Sequence, residues 1–230
     1  MMGNLEGIGD DLWVMDGPTA LDFLVLPYQT RMTITRLDDG GLWIASPVPC
    51  SYEDLCKVTA LGSVRHLLSP TPRHRWRLES WHTLFPAAAL WSCKVGPATL
   101  GRRTLPAGLL SDVAPPAWAG QLDQARYPGR GFEETTFHHR KSGTLLLEDI
   151  VQAHPRQENP LLNALVRFGG LGGEGGVPRD IRALTRTVEA RLWAERVLSW
   201  DFDQLVIAHG PIIRSGAKAR VTRAFDWLLS

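Results

Sequence analysis

The sequence predicts a mixed α/β (α+β) sandwich, and three observations support this interpretation. Strand-like segments occur early in the chain and again near its end, and helical patterns lie between and after them. Of the 230 residues, 44% are apolar and 21% are charged, which is typical of a globular protein with a full core. No repeat or clear domain boundary divides the chain, so we expect a single domain over residues 1–230.

The first predicted elements are a β-hairpin and a short helix. Residues 31–37 alternate with period two, the sequence DDGG favours a turn, and residues 42–48 run back. Ser51 is followed three residues later by Asp54, a pattern typical of a capped helix, and Gly62 then ends the helical spacing.

Further strands are expected at five places along the chain: 63–70, 86–95, 132–139, 143–151 and 205–208. Residues 96–131 are rich in Gly and Pro, and we expect a loop with little regular structure there.

The C-terminal part combines a glycine-rich segment with two helices. Residues 152–180 contain GGLGGEGG at 169–176 and are interpreted as a flexible insertion or lid; the segment lacks the Gly-Lys-Ser/Thr ending of a phosphate loop. A helix is expected from Asp180 to about Trp200, and a second from about Ser215. The apolar spacing predicts that the first helix turns four side chains inward: Ile181, Leu184, Val188 and Leu192.

Charge and cysteine content exclude several classes of partner. The formal net charge is +1, so no overall basic field indicates nucleic acid or an acidic membrane surface. The cysteines fit neither a disulfide framework nor a CxxC metal site. The first residues lack the pattern of a secretory signal, and no apolar run is long enough to span a membrane. We therefore expect a cytoplasmic protein without a nucleic-acid or membrane partner. A small-molecule substrate is compatible with these observations, and nothing in the sequence specifies an oligomeric state.

Several apolar segments are followed by residues that can bind a metal ion. His74 comes shortly after a predicted strand, His139 closes another, Asp149 follows a run of leucines, and His209 ends the segment LVIA. Imidazole nitrogens and carboxylate oxygens suit zinc, iron or manganese. An ion with an open coordination position would activate water near neutral pH.

Each of these residues also has a purely structural interpretation. A single histidine at a strand end is more often hydrogen-bonded than a ligand, and Asp149 can cap the turn after its strand. His138 and His139 point in opposite directions on a strand, so at most one of them faces a common site. The recurrence of the pattern, rather than any one residue, favours a metal site.

The order of four blocks resembles a family of bacterial and plant domains of unknown function that is itself similar to the metallo-β-lactamase fold. These blocks are RMTITRLDDGGLWIASPV at 31–48, LGSVRHLLSPTPRHRW at 61–76, FHHRKSGTLLLEDIV at 137–151 and WDFDQLVIAHGPII at 200–213. The resemblance runs from about Leu12 to Trp227 and implies an αββα sandwich, in which two mixed sheets lie face to face with helices outside and the site at one sheet edge.

The resemblance also implies a reduced set of metal ligands: His74, His139, Asp149 and His209. The hydrolases of this fold read His-x-His-x-Asp-His in their first ligand block, but here Pro70 and Pro72 replace the first two histidines. Arg75 stands where the related family carries a second histidine. These departures argue against a two-metal site and leave a site for one ion, because three protein ligands suffice for catalytic zinc.

Two functions follow from these residues. In the first, one Zn, Fe or Mn ion serves a hydrolase of an ester, thioester, lactone or phosphoester. There Asp149 and His74 are catalytic, His74 acts as a fourth ligand or general base, and Arg75 binds an anionic substrate group. In the second, the metal is lost and the chain is a non-catalytic binding or scaffolding protein.

Overall fold

The computed structural model describes residues 4–22, 26–93 and 107–230. A seven-stranded sheet has the order β1-β2-β5-β6-β7-β8-β9, and a four-stranded sheet has the order β10-β11-β12-β13. Both sheets mix parallel and antiparallel pairs, which confirms the predicted class of fold. None of the helices described is both long and apolar enough to cross a membrane.

The strands of the large sheet are β1 Leu5–Gly9, β2 Leu12–Asp16, β5 Arg31–Arg36, β6 Gly41–Ala45, β7 Ser63–Ser69, β8 Ala89–Ser92 and β9 Gly108–Leu109. Those of the small sheet are β10 Leu122–Pro128, β11 Glu133–His139, β12 Thr144–Leu147 and β13 Gln204–Ile207. A separate hairpin pairs β3 Ala20–Asp22 with β4 Leu26–Tyr28.

The helices are α1 Tyr52–Thr59, α2 Leu78–Leu84, α3 Pro160–Phe168, α4 Arg179–Leu184, α5 Thr187–Leu198 and α6 Ala217–Leu229, with a 3₁₀ helix at Pro72–Arg77. The predicted cap of α1 is confirmed, because Ser51 Oγ accepts from the backbone N–H of Asp54 at 3.1 Å.

Alternation along the central strands divides the core into layers. Trp43 of β6 and Phe137 of β11 pack against each other between the two sheets, with ring centroids 4.8 Å apart. Ile44 faces the opposite way, toward the layer that contains α1 and α2. On the small sheet, Leu146 points inward, whereas Leu145 belongs to the layer formed with α5 and α6. The order of layers is therefore helix, sheet, sheet, helix, as the resemblance implied.

The prediction of a long loop over 96–131 is wrong within residues 107–131, which contain β9 and β10; residues 94–106 lie outside the described part. Strand β10 carries no β-branched residue, and its Gln124 is buried because it bonds the indole of Trp118 and the carbonyls of Ser111 and Val113. Such long-range bonds leave no local sequence pattern.

The predicted helix from 180 to 200 is interrupted at Thr185. Its backbone is extended, and its hydroxyl lies 2.7 Å from the hydroxyl of Tyr127. The interruption changes the helical phase, so α5 buries Ala190, Trp193 and Val197 and leaves Val188 and Leu192 exposed. Among the four side chains predicted to face inward, only Ile181 is buried. Residues 152–180, predicted as a flexible insertion or lid, contain helix α3 and the first two residues of α4.

Candidate metal centre

The parallel strand pairs bring the predicted ligands to one edge of the sandwich. Strands β6 and β7 pair in parallel in the large sheet, and β12 and β13 do so in the small sheet. The carboxyl end of β7 leads into the 3₁₀ helix that carries His74, β12 leads to Asp149, and β13 leads to His209. The site is therefore built from loops of both sheets.

Three side-chain atoms converge at this edge. His74 Nε2 lies 3.3 Å from His209 Nε2 and 3.6 Å from Asp149 Oδ1, and the last two atoms are 3.1 Å apart. Ligands of a four-coordinate zinc ion, with bonds of about 2.0–2.2 Å, lie roughly 3.3–3.6 Å from one another. Among the described residues, these three form the only group of histidine, cysteine or carboxylate side chains spaced for one ion. The donor set and its spacing fit a metal ion.

Both histidines are oriented by bonds on the far side of the ring. His209 Nδ1 donates to the carbonyl of Gln29 at 2.6 Å, which turns Nε2 toward the other two side chains. His74 Nδ1 lies 2.8 Å from Ser46 Oγ and 3.1 Å from Glu148 Oε2. Metal-binding histidines usually carry such a carbonyl or carboxylate partner on the second nitrogen.

Ser46 holds His74 from a strained backbone position. Its φ is 54°, a left-handed conformation that is uncommon for a residue other than glycine, asparagine or aspartate. The backbone N–H of Ser46 donates to Leu68 of the neighbouring strand at 3.0 Å, so the sheet fixes this conformation. Strain of this kind is concentrated at functional sites.

Asp149 is fixed through its other oxygen. Its Oδ2 accepts from the hydroxyl of Thr71 at 2.7 Å, and Gln152 Nε2 donates to its backbone carbonyl at 3.1 Å. Asp149 and Thr71 are both buried. The Oδ1 atom is thereby directed toward the two histidines.

Glu134, which was not predicted, holds the turn that carries Asp149. This fully buried side chain accepts backbone N–H bonds from Glu148, Asp149 and Ile150, at 2.8, 2.6 and 2.9 Å. Burial and the charge of Asp149 raise the pKa of Glu134 to about 8, although two of these bonds act in the opposite direction. An acidic residue inside a strand was the only sequence signal for this role.

The electrostatic field of the site favours a positive charge. Burial by itself would lower the pKa of His74, but the charges of Asp149, Glu148 and Glu134 outweigh it and raise the pKa to about 9. Burial would likewise raise the pKa of Asp149, but His74 and His209 hold it well below its usual range. The same field would attract a bound cation.

His139 lies outside this group, and its role as a metal ligand stays a prediction. Strand β11 runs antiparallel to β12, and His139 pairs with Thr144 at the start of β12, whereas Asp149 follows its end. Five residues of strand separate His139 from Glu134, about 17 Å along the sheet. His139 is buried and bonds Ser142 Oγ at 2.7 Å. In this position His139 makes a hydrogen bond that joins β11 to the turn before β12.

Arg75 follows His74 on the 3₁₀ helix at Pro72–Arg77. Burial raises the pKa of the Cys93 thiol to about 12, and the charge of Arg75 opposes that rise. Cys93 itself follows β8, at the same edge as the candidate ligands, with its N–H bonded to the carbonyl of Ser69 at 3.2 Å. Arg75 thus supplies positive charge at this edge of the sheet.

Space beside the ligands is limited. A cavity of about 20 Å³ adjoins His74 and is lined also by Tyr28, Thr30 and Ser46. Such a volume holds about one water molecule. The ring of Tyr28, at the end of the β3–β4 hairpin, meets that of His209 edge to face at 4.8 Å. The hairpin therefore covers His209.

The model of a domain of unknown function, DUF4336, matches residues 9–167, more than half of the chain. The chain belongs to the DUF4336 family. The matched region contains His74 and Asp149, and His209 lies beyond it. The search of curated proteins found no match.

Solved structures with the same architecture come from several bacteria. A putative diflavin flavoprotein fragment from Nostoc sp. PCC 7120 aligns with a TM-score of 0.67 and 14% identity, covering 99% of this chain and 96% of its own. A metallo-β-lactamase from Pontibacter korlensis aligns at 0.66 with 11% identity, covering all of both chains. The metallo-β-lactamase FIM-1 from Pseudomonas aeruginosa, in its mono-zinc form, aligns at 0.64 with 9% identity, covering 100% and 98%. This DUF4336 protein therefore has the metallo-β-lactamase fold.

Proposed function

We propose that this DUF4336 protein is a hydrolase that uses one metal ion, held by His74, Asp149 and His209. The convergence of the two Nε2 atoms and Asp149 Oδ1 within 3.1–3.6 Å of one another carries this proposal. Zinc, iron and manganese all accept such a set of nitrogen and oxygen ligands. His74 is one of the three ligands in this arrangement, and we assign it no separate role as a general base.

The arrangement supports a single ion rather than a pair. Asp149 Oδ2, the oxygen that a second ion would need, accepts the hydroxyl hydrogen of Thr71. Pro70 and Pro72 flank Thr71 and offer no donor atoms to a metal. Glu134 is occupied by three backbone N–H groups. The neighbouring groups that could bind a second ion are thus engaged in hydrogen bonds or lack donor atoms.

The substrate class follows from the chemistry of such a site. A divalent ion with an open position polarises a carbonyl or phosphoryl oxygen and activates water for attack. An ester, thioester, lactone or phosphoester offers such a centre. Ser46, Glu148 and the Gln29 carbonyl keep the two imidazole rings in place. Arg75 adds a fixed positive charge that favours an anionic substrate.

The test combines metal content with hydrolysis. Protein without a histidine tag is analysed for zinc, iron and manganese before and after incubation with each, and is then assayed on model esters, thioesters, lactones and phosphoesters. His209→Asn should abolish both metal binding and hydrolysis. His139→Asn is the matched control. His139 is as buried as His209, but it lies at the end of β11 away from the three candidate ligands. Metal below about a tenth of an equivalent, or equal hydrolysis by both variants, would refute the proposal.

A non-catalytic binding protein is the second candidate, and one observation favours it. Every ligand side chain already has a hydrogen-bond partner outside the group of three: Ser46 for His74, Gln29 for His209 and Thr71 for Asp149. This network holds the edge together without an ion. In that case His209→Asn would lower thermal stability, while the wild-type protein would bind no metal and hydrolyse none of the model substrates.

A further inference from the structure

A second cleft lies in the segment that follows Asp149. It has a volume of about 690 Å³, and its walls come from residues 154–156, from helix α3 and from the glycine-rich turn at 170–173. Arg156, Asn163 and Arg167 supply its polar side chains, together with His154. The volume is that of a site for a small organic molecule.

The charged side chains that line this cleft are positive, and Glu158 lies outside it in an adjoining pocket that shares Arg156 and Asn163. Arg156 and Arg167 are exposed, and neither has a carboxylate within salt-bridge distance in the described part of the chain. The described lining residues include no aspartate or glutamate. Glu174, the acid nearest in sequence to the glycine turn, is instead paired with Arg223 of α6 at 2.9 Å. The cleft therefore presents guanidinium groups to a ligand.

Glycine brings the backbone of the turn close to these groups. A Cβ atom at Gly172 would lie 3.2 Å from Cγ of Arg167, so the absence of a side chain lets the arginine stem pack against the turn. Gly173 has a φ of +66°, and nothing lies within 4 Å of the position where its Cβ would be. A bound group can approach the backbone there.

Hydrogen bonds connect the cleft with the candidate metal centre. His154 Nε2 donates to Gln152 Oε1 at 3.0 Å, and Gln152 Nε2 donates to the carbonyl of Asp149 at 3.1 Å. The backbone N–H of Ala153 donates to the carbonyl of His209 at 2.9 Å. The wall of the cleft is thus attached to two of the three candidate ligands.

We propose that this cleft binds the phosphate group of a small molecule through Arg156 and Arg167. Two guanidinium groups match the charge of a phosphate monoester, which is close to −2 at neutral pH, and the planar fork of arginine suits its oxygens. The proposal requires no metal ion, so it can be tested independently of the proposed hydrolase activity.

The test is a titration of metal-free protein with inorganic phosphate at constant ionic strength, with the melting temperature measured at each concentration. A saturable rise in melting temperature is expected, and the apparent affinity should fall at least tenfold in the double variant R156Q/R167Q. The matched control is R65Q/R191Q, which removes two exposed arginines that have carboxylate partners elsewhere. Because the titration uses metal-free protein, its result does not depend on whether the metal site is functional.

Three outcomes would overturn the proposal. One is the absence of saturation in the wild-type protein, and another is an equal response of R156Q/R167Q and the wild type. The third is binding of acetate as tight as that of phosphate, which would make the cleft a general carboxylate site. Circular dichroism of R156Q/R167Q distinguishes a loss of phosphate binding from a loss of folded structure.

Discussion

The hydroxyl of Thr71 donates a hydrogen bond of 2.7 Å to Asp149 Oδ2. This bond joins the loop after β7 of the large sheet to the loop after β12 of the small sheet. It also determines which oxygen of Asp149 faces the histidines. The geometry of the candidate centre thus depends on a threonine between two prolines.

Thr71→Val should weaken metal binding by about 10- to 100-fold while leaving the fold intact, because valine keeps the shape but removes the donor to Asp149. Competition with a chromophoric chelator measures the change in affinity. Thr59→Val is the control, since that hydroxyl is exposed and bonds only carbonyls of its own helix. An affinity for metal equal to that of the wild type would show that Thr71 does not orient the carboxylate.

Two substitutions of Ser46 separate the effect of its hydrogen bond from the effect of its backbone strain. Ser46→Ala and Ser46→Gly both remove the bond to His74 and should weaken metal binding to a similar extent. Only glycine relieves the φ of 54°, so the glycine variant should be more stable than the alanine variant by about 1 kcal/mol. Urea unfolding of the two variants measures the difference. Equal stabilities would show that the conformation carries no strain.

Arg31→Lys should lower both the free energy of unfolding, by about 2 kcal/mol, and the affinity for metal. Nη1 of this buried arginine donates to the carbonyls of Ile207 and Gly210, each at 2.7 Å, and these two carbonyls bracket His209. Lysine keeps the charge but cannot hold Asp16 and both carbonyls in the same geometry. Arg36→Lys is the control, since Arg36 forms an exposed pair with Asp11. A decrease no larger than that of the control would exclude a positioning role.

His139 should make the protein less stable in mild acid. Burial lowers its pKa from 6.5 to about 4 in the folded state. Below pH 6.5 the unfolded chain therefore takes up a proton that the folded chain does not, and stability falls as the pH falls toward 4. By about pH 5.5 this loss is about 1 kcal/mol.

His139→Asn removes the titrating group and keeps an amide nitrogen near the position of Nδ1, which bonds Ser142. The free energy of unfolding of this variant should change less between pH 7.5 and 5.5 than that of the wild type. A pH dependence identical in the two proteins would mean that the folded state admits the proton.

The sequence was sufficient for the layers, and three of the four residues it proposed as ligands lie together in the structure. Apolar segments with period two predicted the strands, and their common direction in parallel pairs placed His74, Asp149 and His209 at one edge. His139 could not be placed in the same way. Alternation predicts the face of a side chain but not which end of the strand meets the site, and β11 runs in the opposite direction.

The residues that orient the ligands could not be predicted from the sequence, for a different reason. Glu134 accepts from residues 14 to 16 positions away, and Gln29 bonds His209 across 180 positions. Arg31 is similarly distant from Ile207. Such partners are brought together only by the packing of the two sheets, and no local periodicity encodes them.

His74 follows a strand of the large sheet, whereas Asp149 and His209 follow strands of the small sheet. His74 and His209 are separated by 135 positions in the chain, and Asp149 and His209 by 60. An ion bound by all three would cross-link the two sheets reversibly. Like a disulfide, it would close long loops of the chain. Loading the protein with metal should therefore slow its unfolding, and a chelator should reverse the effect in the absence of any substrate.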